Sequence, residues 1–262
     1  MVEKASRWHE PFQPKKLARS LKRSGATAPQ IEQVLRRLTA WIRRGATTER
    51  IAEETAAALD TLDRQVAARY RLRRALMELG PEGYPFERYV GKMFTRYGYA
   101  TTIGQHVPGR CISHEVDVIA QQGNRRLMIE CKYHNRRGVQ SDAKVALYTW
   151  ARFEDIRDRG ATQHGGGTAF TEGWLVTNTK VTRDALAFAH CVGLRVLGWH
   201  QPPELPLQQL IEAAHLYPIT CLPRLERQLR RRLLEADLIL CQDLAGNPAA
   251  LQALGVSDAL TA

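Results

Sequence analysis

Closely spaced cysteines are missing from this chain. Its five cysteines stand at 111, 131, 191, 221 and 241, and no CxxC pair occurs. That excludes a zinc ribbon, which needs such pairs. Long apolar runs are also missing: none reaches the length needed to cross a bilayer, and the first residues lack the apolar core of a secretory leader. The expectation is a soluble, cytoplasmic protein with reduced thiols and no membrane partner. There is no low-complexity segment and no internal repeat. The triple glycine Gly165-Gly166-Gly167 is not followed by the Lys-Ser/Thr of a P-loop, so no nucleotide site is assigned to it.

Positive charge is plentiful. The 262 residues carry a formal charge of +11. Residues 1–75 hold 17 Lys/Arg against 8 Asp/Glu, which leaves 21 against 19 for the remainder. The excess therefore belongs to the N-terminal part. A basic surface attracts polyanions such as nucleic acid or a nucleoside triphosphate, although an arginine-rich solvated helix surface would look the same.

Helical periodicity covers 15–24, 28–44, 48–62 and 63–79, punctuated by Gly25, Gly45 and Gly80. In 85–97, Phe86, Tyr89, Val90, Met93, Phe94 and Tyr97 form one apolar stripe, and Gly98 supplies a helix stop. Residues 116–120 (VDVIA) and 127–133 (LMIECKY) read as two strands of a hairpin, turned at Gly123-Asn124. Further on, 173–178 reads as a buried strand, 182–191 as a helix and 193–199 as another strand, with a flexible loop at 160–170. A run of helices followed by alternating strands and helices predicts an α/β chain of two domains with a mixed sheet and a crossover connection. The tail, 218–262, reads as helical and carries a basic stripe from Arg224 to Arg232.

The hairpin carries the chemistry. Alternation puts Glu130 and Lys132 on one face of their strand. If Asp117 on the partner strand meets that face, two carboxylates and a lysine converge. Such a cluster is costly to bury unless it is paired or binds an ion. Mg²⁺ suits it, since that ion takes hard oxygens and needs only one or two carboxylates beside water and substrate phosphate. Lys132 would then orient or help deprotonate water, or act as a fixed cation toward the phosphoryl oxygens. A surface Glu–Lys pair is the plain alternative, worth little. Glu115 is read as facing away from Asp117 onto the surface, and His114 and His134 as bystanders.

Asp117, twelve intervening residues and Glu130-Cys131-Lys132 resemble the PD-(D/E)xK nuclease motif, and more narrowly the Mrr-type restriction endonuclease domain. The resemblance extends over roughly 80–217, including the opening segment YPFERYVGKMFTRYGYATTIGQHVPGR and the later EGWLVTNTKVTRDALAFAHCVGLRVLGW. Many Mrr-like members carry QxK where this chain has Glu130-x-Lys132, and Val116 replaces the usual Pro or Gly before the Asp. The resemblance implies a restriction-endonuclease-like mixed sheet with flanking helices. It also implies Mg²⁺-dependent cleavage of double-stranded DNA by Asp117, Glu130 and Lys132, with Glu87 joining Asp117 and Glu130 at the metal.

A second resemblance covers about residues 2–76. VEKASRWHEPFQPKKLARSLKRSGA and the later VAARYRLRRAL resemble an ATP-cone, a small helical regulatory module with an N-terminal β-ribbon. It implies binding of ATP or dATP as a regulatory ligand, with Lys4, Glu10 and Lys16 at the nucleotide and Thr55 as a further contact. The chain departs from the family where Ala5-Ser6-Arg7 replaces a basic residue followed by Asp-Gly. Without CxxC pairs, a zinc-containing repressor of the ATP-cone type is not expected. The divisions expected are 1–79 for nucleotide sensing, 80–217 for the nuclease and 218–262 for a helical tail. That tail resembles a helix-hairpin-helix element or packs as an appendage on the nuclease core. The expected function is an ATP- or dATP-regulated DNA endonuclease. The alternative is a nucleotide-responsive DNA-binding regulator on an inactive nuclease fold, and a homo-oligomer is left open.

Overall fold

The structure is a computed structural model, and it describes residues 2–3, 9–10, 12–42, 46–136, 138–162, 169–222 and 225–253. Two compact units divide at Arg74 and Ala75.

The first unit combines short strands with helices. β1 (Val2–Glu3) pairs antiparallel with β2 (His9–Glu10) and parallel with β3 (Ala46–Thr47). α1 (Pro14–Arg23), α2 (Ala28–Trp41), α3 (Thr48–Asp60) and most of α4 (Arg64–Met77) follow the periodicity of the sequence. Thr27 starts α2 with a reciprocal capping box to Gln30, satisfying two otherwise orphaned amides. Leu17, Leu21, Val34, Leu38, Leu59 and Val66 close the core.

The second unit begins with the end of α4, three turns beyond its start, not at the Gly80 break. α5 (Tyr84–Arg96) follows the aromatic stripe and stops where Gly98 adopts φ +87°. Next come β4 (Ala100–Pro108), β5 (Ser113–Gln122), β6 (Arg125–Lys132) and the short β7 (Gln140–Ser141). α6 (Ala143–Thr162), β8 (Glu172–Thr177), β9 (Lys180–Val181), α7 (Arg183–Val192) and β10 (Arg195–Leu197) complete the α/β part. The main sheet has the order β10-β8-β6-β5-β4. The β4–β5 and β5–β6 pairs are antiparallel, while β6–β8 and β8–β10 are parallel. Of the loop expected at 160–170, residues 160–162 belong to α6, and 163–168 lie outside the described residues.

Helices cover both faces of this sheet. Trp174 meets Phe94 of α5 edge to face, whereas its neighbour Leu175 packs with Ala146 of α6 and Ala185 of α7. Adjacent strand residues face opposite ways, so α5 lies on one face and α6 and α7 on the other. The α6 crossover is what a parallel β6–β8 pair requires.

The C-terminal segment packs on α5. It comprises α8 (Leu207–Ala213), a 3₁₀ turn (Ile219–Cys221), α9 (Arg227–Glu235), α10 (Cys241–Gly246) and α11 (Pro248–Ala253). The buried hydroxyl of Tyr89 donates to the Leu216 carbonyl at 2.7 Å. Arg88 pairs with Asp237, and Lys92 reaches Asp237 and Asp243 at 3.3 and 3.2 Å. Arg224 of the basic stripe lies outside the described residues. Arg230 pairs with Glu78 and Arg231 with Glu235.

Candidate active site

Asp117 stands where the β5–β6 ladder ends. Val118 faces Ile129, so the same register would set Asp117 opposite Glu130, but pairing stops at Val118. The Cys131 N–H donates instead to Asp117 Oδ2 at 2.7 Å. Pairing to β4 is interrupted at the same point, between Ile103–Val118 and Gln105–Val116, where Gly104 adopts φ +62°. That left-handed conformation suits glycine. The strand alternation also breaks here. Val116 and Ile119, of opposite parity, both pack with Phe153 and Ile156 of α6. A local irregularity of this kind re-aims a side chain.

Three carboxylates share this region electrostatically. Glu87 lies in the first turn of α5, and Glu130 on β6 next to the buried Cys131. Burial first, and then the charges of Asp117, Glu115 and Glu130, push Glu87 up to about 7 from its ordinary 4.5. Burial followed by Asp117 raises Glu130, against the pull of Arg152 and Lys132. Burial raises Asp117 as well, against the Cys131 N–H and the Arg152 charge. Glu115 is exposed, as expected, but the expectation that it faces away from Asp117 is corrected: two residues apart on a strand lie on one side, and its charge acts on both Glu87 and Asp117. The structure thus gathers Asp117, Glu130 and Glu87 into one electrostatic neighbourhood, with the exposed Lys132 at the end of β6.

Arg152, absent from the sequence reading, is the closest partner of Glu130. It is almost fully buried on α6, forms a short ion pair with the Glu130 carboxylate and lies over the Tyr148 ring. Its Nε has no hydrogen-bond partner. A signal was present: Ala146, Thr149, Trp150, Phe153 and Ile156 recur at helical steps. Nothing in that pattern tells which polar residue on the stripe turns inward.

Among the described residues, no three His, Cys, Asp or Glu side chains stand ready as a metal cage. Magnesium does not need one, since one or two carboxylates suffice when water and phosphate complete the shell. Asp117 and Glu130 supply hard oxygens, and the charges of both act on the Glu87 carboxylate, so the donor set fits that ion.

The two histidines that flank the hairpin make contacts within the fold. His114 Nε2 lies 2.8 Å from Asp155 Oδ2. His134 donates its N–H to Asn178 Oδ1 at 2.9 Å, and its Nε2 lies 3.1 Å from Ser141 Oγ. Burial, helped by Lys132, lowers its proton affinity.

In the first unit Lys4 lies outside the described residues, Glu10 is placed in β2, and Lys16 is an exposed residue in the first turn of α1. Thr55 is a correction. It is fully buried in α3 and donates its hydroxyl to the Ile51 carbonyl at 2.6 Å, which makes it a core residue and not a nucleotide contact.

Comparison with known proteins agrees with the α/β assignment. A restriction endonuclease family model, that of the Mrr catalytic domain, matches residues 80–197, and an AF1548-like C-terminal model matches 217–260. An uncharacterized protein of Archaeoglobus fulgidus is 36% identical over 155 residues, which span 59% of this chain and 83% of that protein. The crystal structure of AF1548, a protein of unknown function, superposes with a TM-score of 0.58 at 33% identity and covers 69% of this chain and 92% of that one. The chain belongs to the family of this Archaeoglobus fulgidus protein, with a restriction-endonuclease domain followed by an AF1548-like C-terminal segment.

Proposed function

We propose that this protein is a Mg²⁺-dependent endonuclease acting on double-stranded DNA, controlled by ATP or dATP at its N-terminal unit. The observation that carries the reading is the opening of the β5–β6 ladder at Asp117, opposite Glu130 and within the field of Glu87. Asp117 and Glu130 would hold the ion, with Glu87 assisting. When bound, the ion would supply a more acidic water and charge neutralisation at the scissile phosphate. Lys132, exposed at the strand end, orients water or stabilises the phosphoryl oxygens. Arg152 holds the Glu130 carboxylate. The restriction-endonuclease family match over 80–197 supports the activity class.

The nucleotide part of the reading rests on the resemblance at 2–76, supported by a β-ribbon followed by helices in the first unit. Lys4, Glu10 and Lys16 are its proposed contacts.

The test is plasmid cleavage by the purified chain with Mg²⁺, with and without ATP. Asp117→Ala or Glu130→Ala should abolish nicking and leave DNA binding largely intact. Wild-type cleavage rates in both variants would refute the site. A second reading, a DNA-binding regulator on an inactive nuclease fold, is favoured by one observation: Arg152 already engages Glu130. Under that reading plasmid stays intact with Mg²⁺ while binding to DNA persists.

A further inference from the structure

From Cys131, through the end of β6 at Lys132 and on to Arg136, the chain lines a cleft of about 290 Å³. Lys132, His134 and Arg136 lie along one stretch of its lining, and Pro81, Gly83 and Val139 contribute elsewhere. The backbone of this stretch is held firmly. Asn178, fully buried, accepts the His134 N–H and donates to the His134 carbonyl at 2.8 Å. The Tyr133 hydroxyl lies 2.6 Å from the Met77 carbonyl and 3.0 Å from that of Gly80. Tyr133 and His134 are therefore held in place, with Lys132 just before them and Arg136 two residues beyond.

Its two permanent cations are exposed and, among the described residues, have no ion-pair or hydrogen-bond partner. This sets them apart from Arg88, Arg125, Arg152 and Arg230 of the same unit, each matched to a carboxylate. Exposed cations outside any ion pair, beside a carboxylate cluster of opposite sign, present a site for a ligand that carries its own negative charge at regular intervals. The four residue steps from Lys132 to Arg136 reach at most about 14 Å. A nucleic-acid strand carries one phosphate per about 3.4 Å of helix axis, so that reach spans several phosphates.

Building on the nuclease reading, we propose that this cleft is a subsite for the DNA sugar-phosphate backbone, in which Arg136 grips a phosphate flanking the one that meets Asp117, Glu130 and Lys132. Lys132 acts at the scissile position, and Arg136 binds without touching the reacting atoms. Positioning contacts of this kind fix the register of a duplex and carry no sequence information.

The experiment measures binding of the full chain to a fluorescein-labelled duplex by anisotropy, across a salt series in EDTA. Arg136→Gln is compared with Arg183→Gln, which removes the same charge from an exposed position on α7. Loss of one charge-assisted phosphate contact should weaken binding about tenfold at fixed salt. It should also make the slope of log K against log salt shallower by about 0.9. Arg183→Gln should leave that slope as in the wild type, and Arg136→Lys should restore most of it. Equal effects of Arg136→Gln and Arg183→Gln, or an unchanged slope for Arg136→Gln, would overturn the subsite. Plasmid cleavage with Mg²⁺, measured in parallel, separates the two readings. Cleavage by a protein whose slope ignores Arg136 sinks the subsite alone. An Arg136-dependent slope without any cleavage keeps the subsite and sinks the nuclease.

Discussion

Asp117 accepts a backbone N–H that a continued strand pair would have used elsewhere, and this ties its carboxylate to the end of the ladder. Glu130 is fixed from the other side by Arg152, whose side chain is 9% exposed against 15% for Glu130. Breaking a buried pair leaves one charge uncompensated, so Arg152→Ala should destabilise the chain by about 3–5 kcal/mol, read by denaturant unfolding. A loss below about 1 kcal/mol would show that the pair is solvated. Lys132 is exposed and lacks such a structural duty, so Lys132→Ala should lower the cleavage rate by about 10²-fold with far less effect on DNA affinity. Equal losses in both would mark it as a phosphate-positioning residue. Glu87 gives a pH prediction. Its carboxyl is raised to about 7 in the folded chain from 4.5. Between those values the folded state binds more protons than the unfolded one, so stability falls as pH rises through the window. Thermal melts of Glu87→Gln should lose part of that decline, and Mg²⁺ should raise the melting temperature more at pH 8 than at pH 5. A variant whose decline matches the wild type would refute the shift.

At the scale of elements, α6 organises the site. It provides the crossover between β6 and β8, the apolar wall of Phe153 and Ile156, and Arg152. One turn further, Asp155 fastens the β4–β5 connection to it. Its carboxylate accepts the Cys111 and Ile112 N–H groups at 2.8 and 3.3 Å and meets His114, while its carbonyl accepts the Arg110 N–H. A Cβ on Gly109 would stand 2.0 Å from Asp155 Oδ2, so the loop closes this tightly only with glycine there. The bond with His114, followed by the Cys111 contacts, holds the Asp155 carboxyl well below the usual carboxylate range. A depressed carboxylate stabilises the fold above its unfolded pKa and loses that contribution as pH falls through the folded one. Asp155→Asn should therefore melt earlier than wild type at neutral pH, and the gap should close only in strong acid. Amide exchange at Cys111 and Ile112 should accelerate in the variant. Unchanged exchange would rule out the fastening role.

For the whole molecule, charge divides the labour. The positive excess lies in residues 1–75, and the remainder is nearly balanced. A ligand that prefers the folded state raises the unfolding free energy. ATP or dATP should therefore raise the melting temperature of the full chain, and the double change Lys4→Ala, Lys16→Ala should reduce that shift. No shift at millimolar nucleotide would leave the first unit as a basic module for DNA or self-association. The C-terminal segment belongs with the α/β unit: Tyr89, Arg88 and Lys92 of α5 all bind it. Among the described residues, no helix is long and apolar enough to cross a membrane.

The sequence by itself determined the helices of the first unit, α5, the hairpin and the β8–α7–β10 run, because each is written in a local period of apolar residues and ended by Gly or a turn pair. It also singled out Asp117, Glu130 and Lys132 as the candidate residues of the hairpin, because they lie on strands short enough for alternation to be read. Only the tertiary structure decided what those side chains meet. Strict alternation fails at Asp117, where the ladder opens opposite Gly104, and that interruption is set by how β5 pairs with both of its neighbours at once, which the period of one strand does not record. Arg152 lies 22 residues from Glu130, on a helix whose period gives its apolar face and not the partner of the one arginine buried there. The same holds for the cleft. Lys132 and Arg136 are ordinary basic residues in sequence. They become candidate phosphate contacts because the bonds of Asn178 and Tyr133 hold the residues between them, and both side chains stay exposed on one cleft.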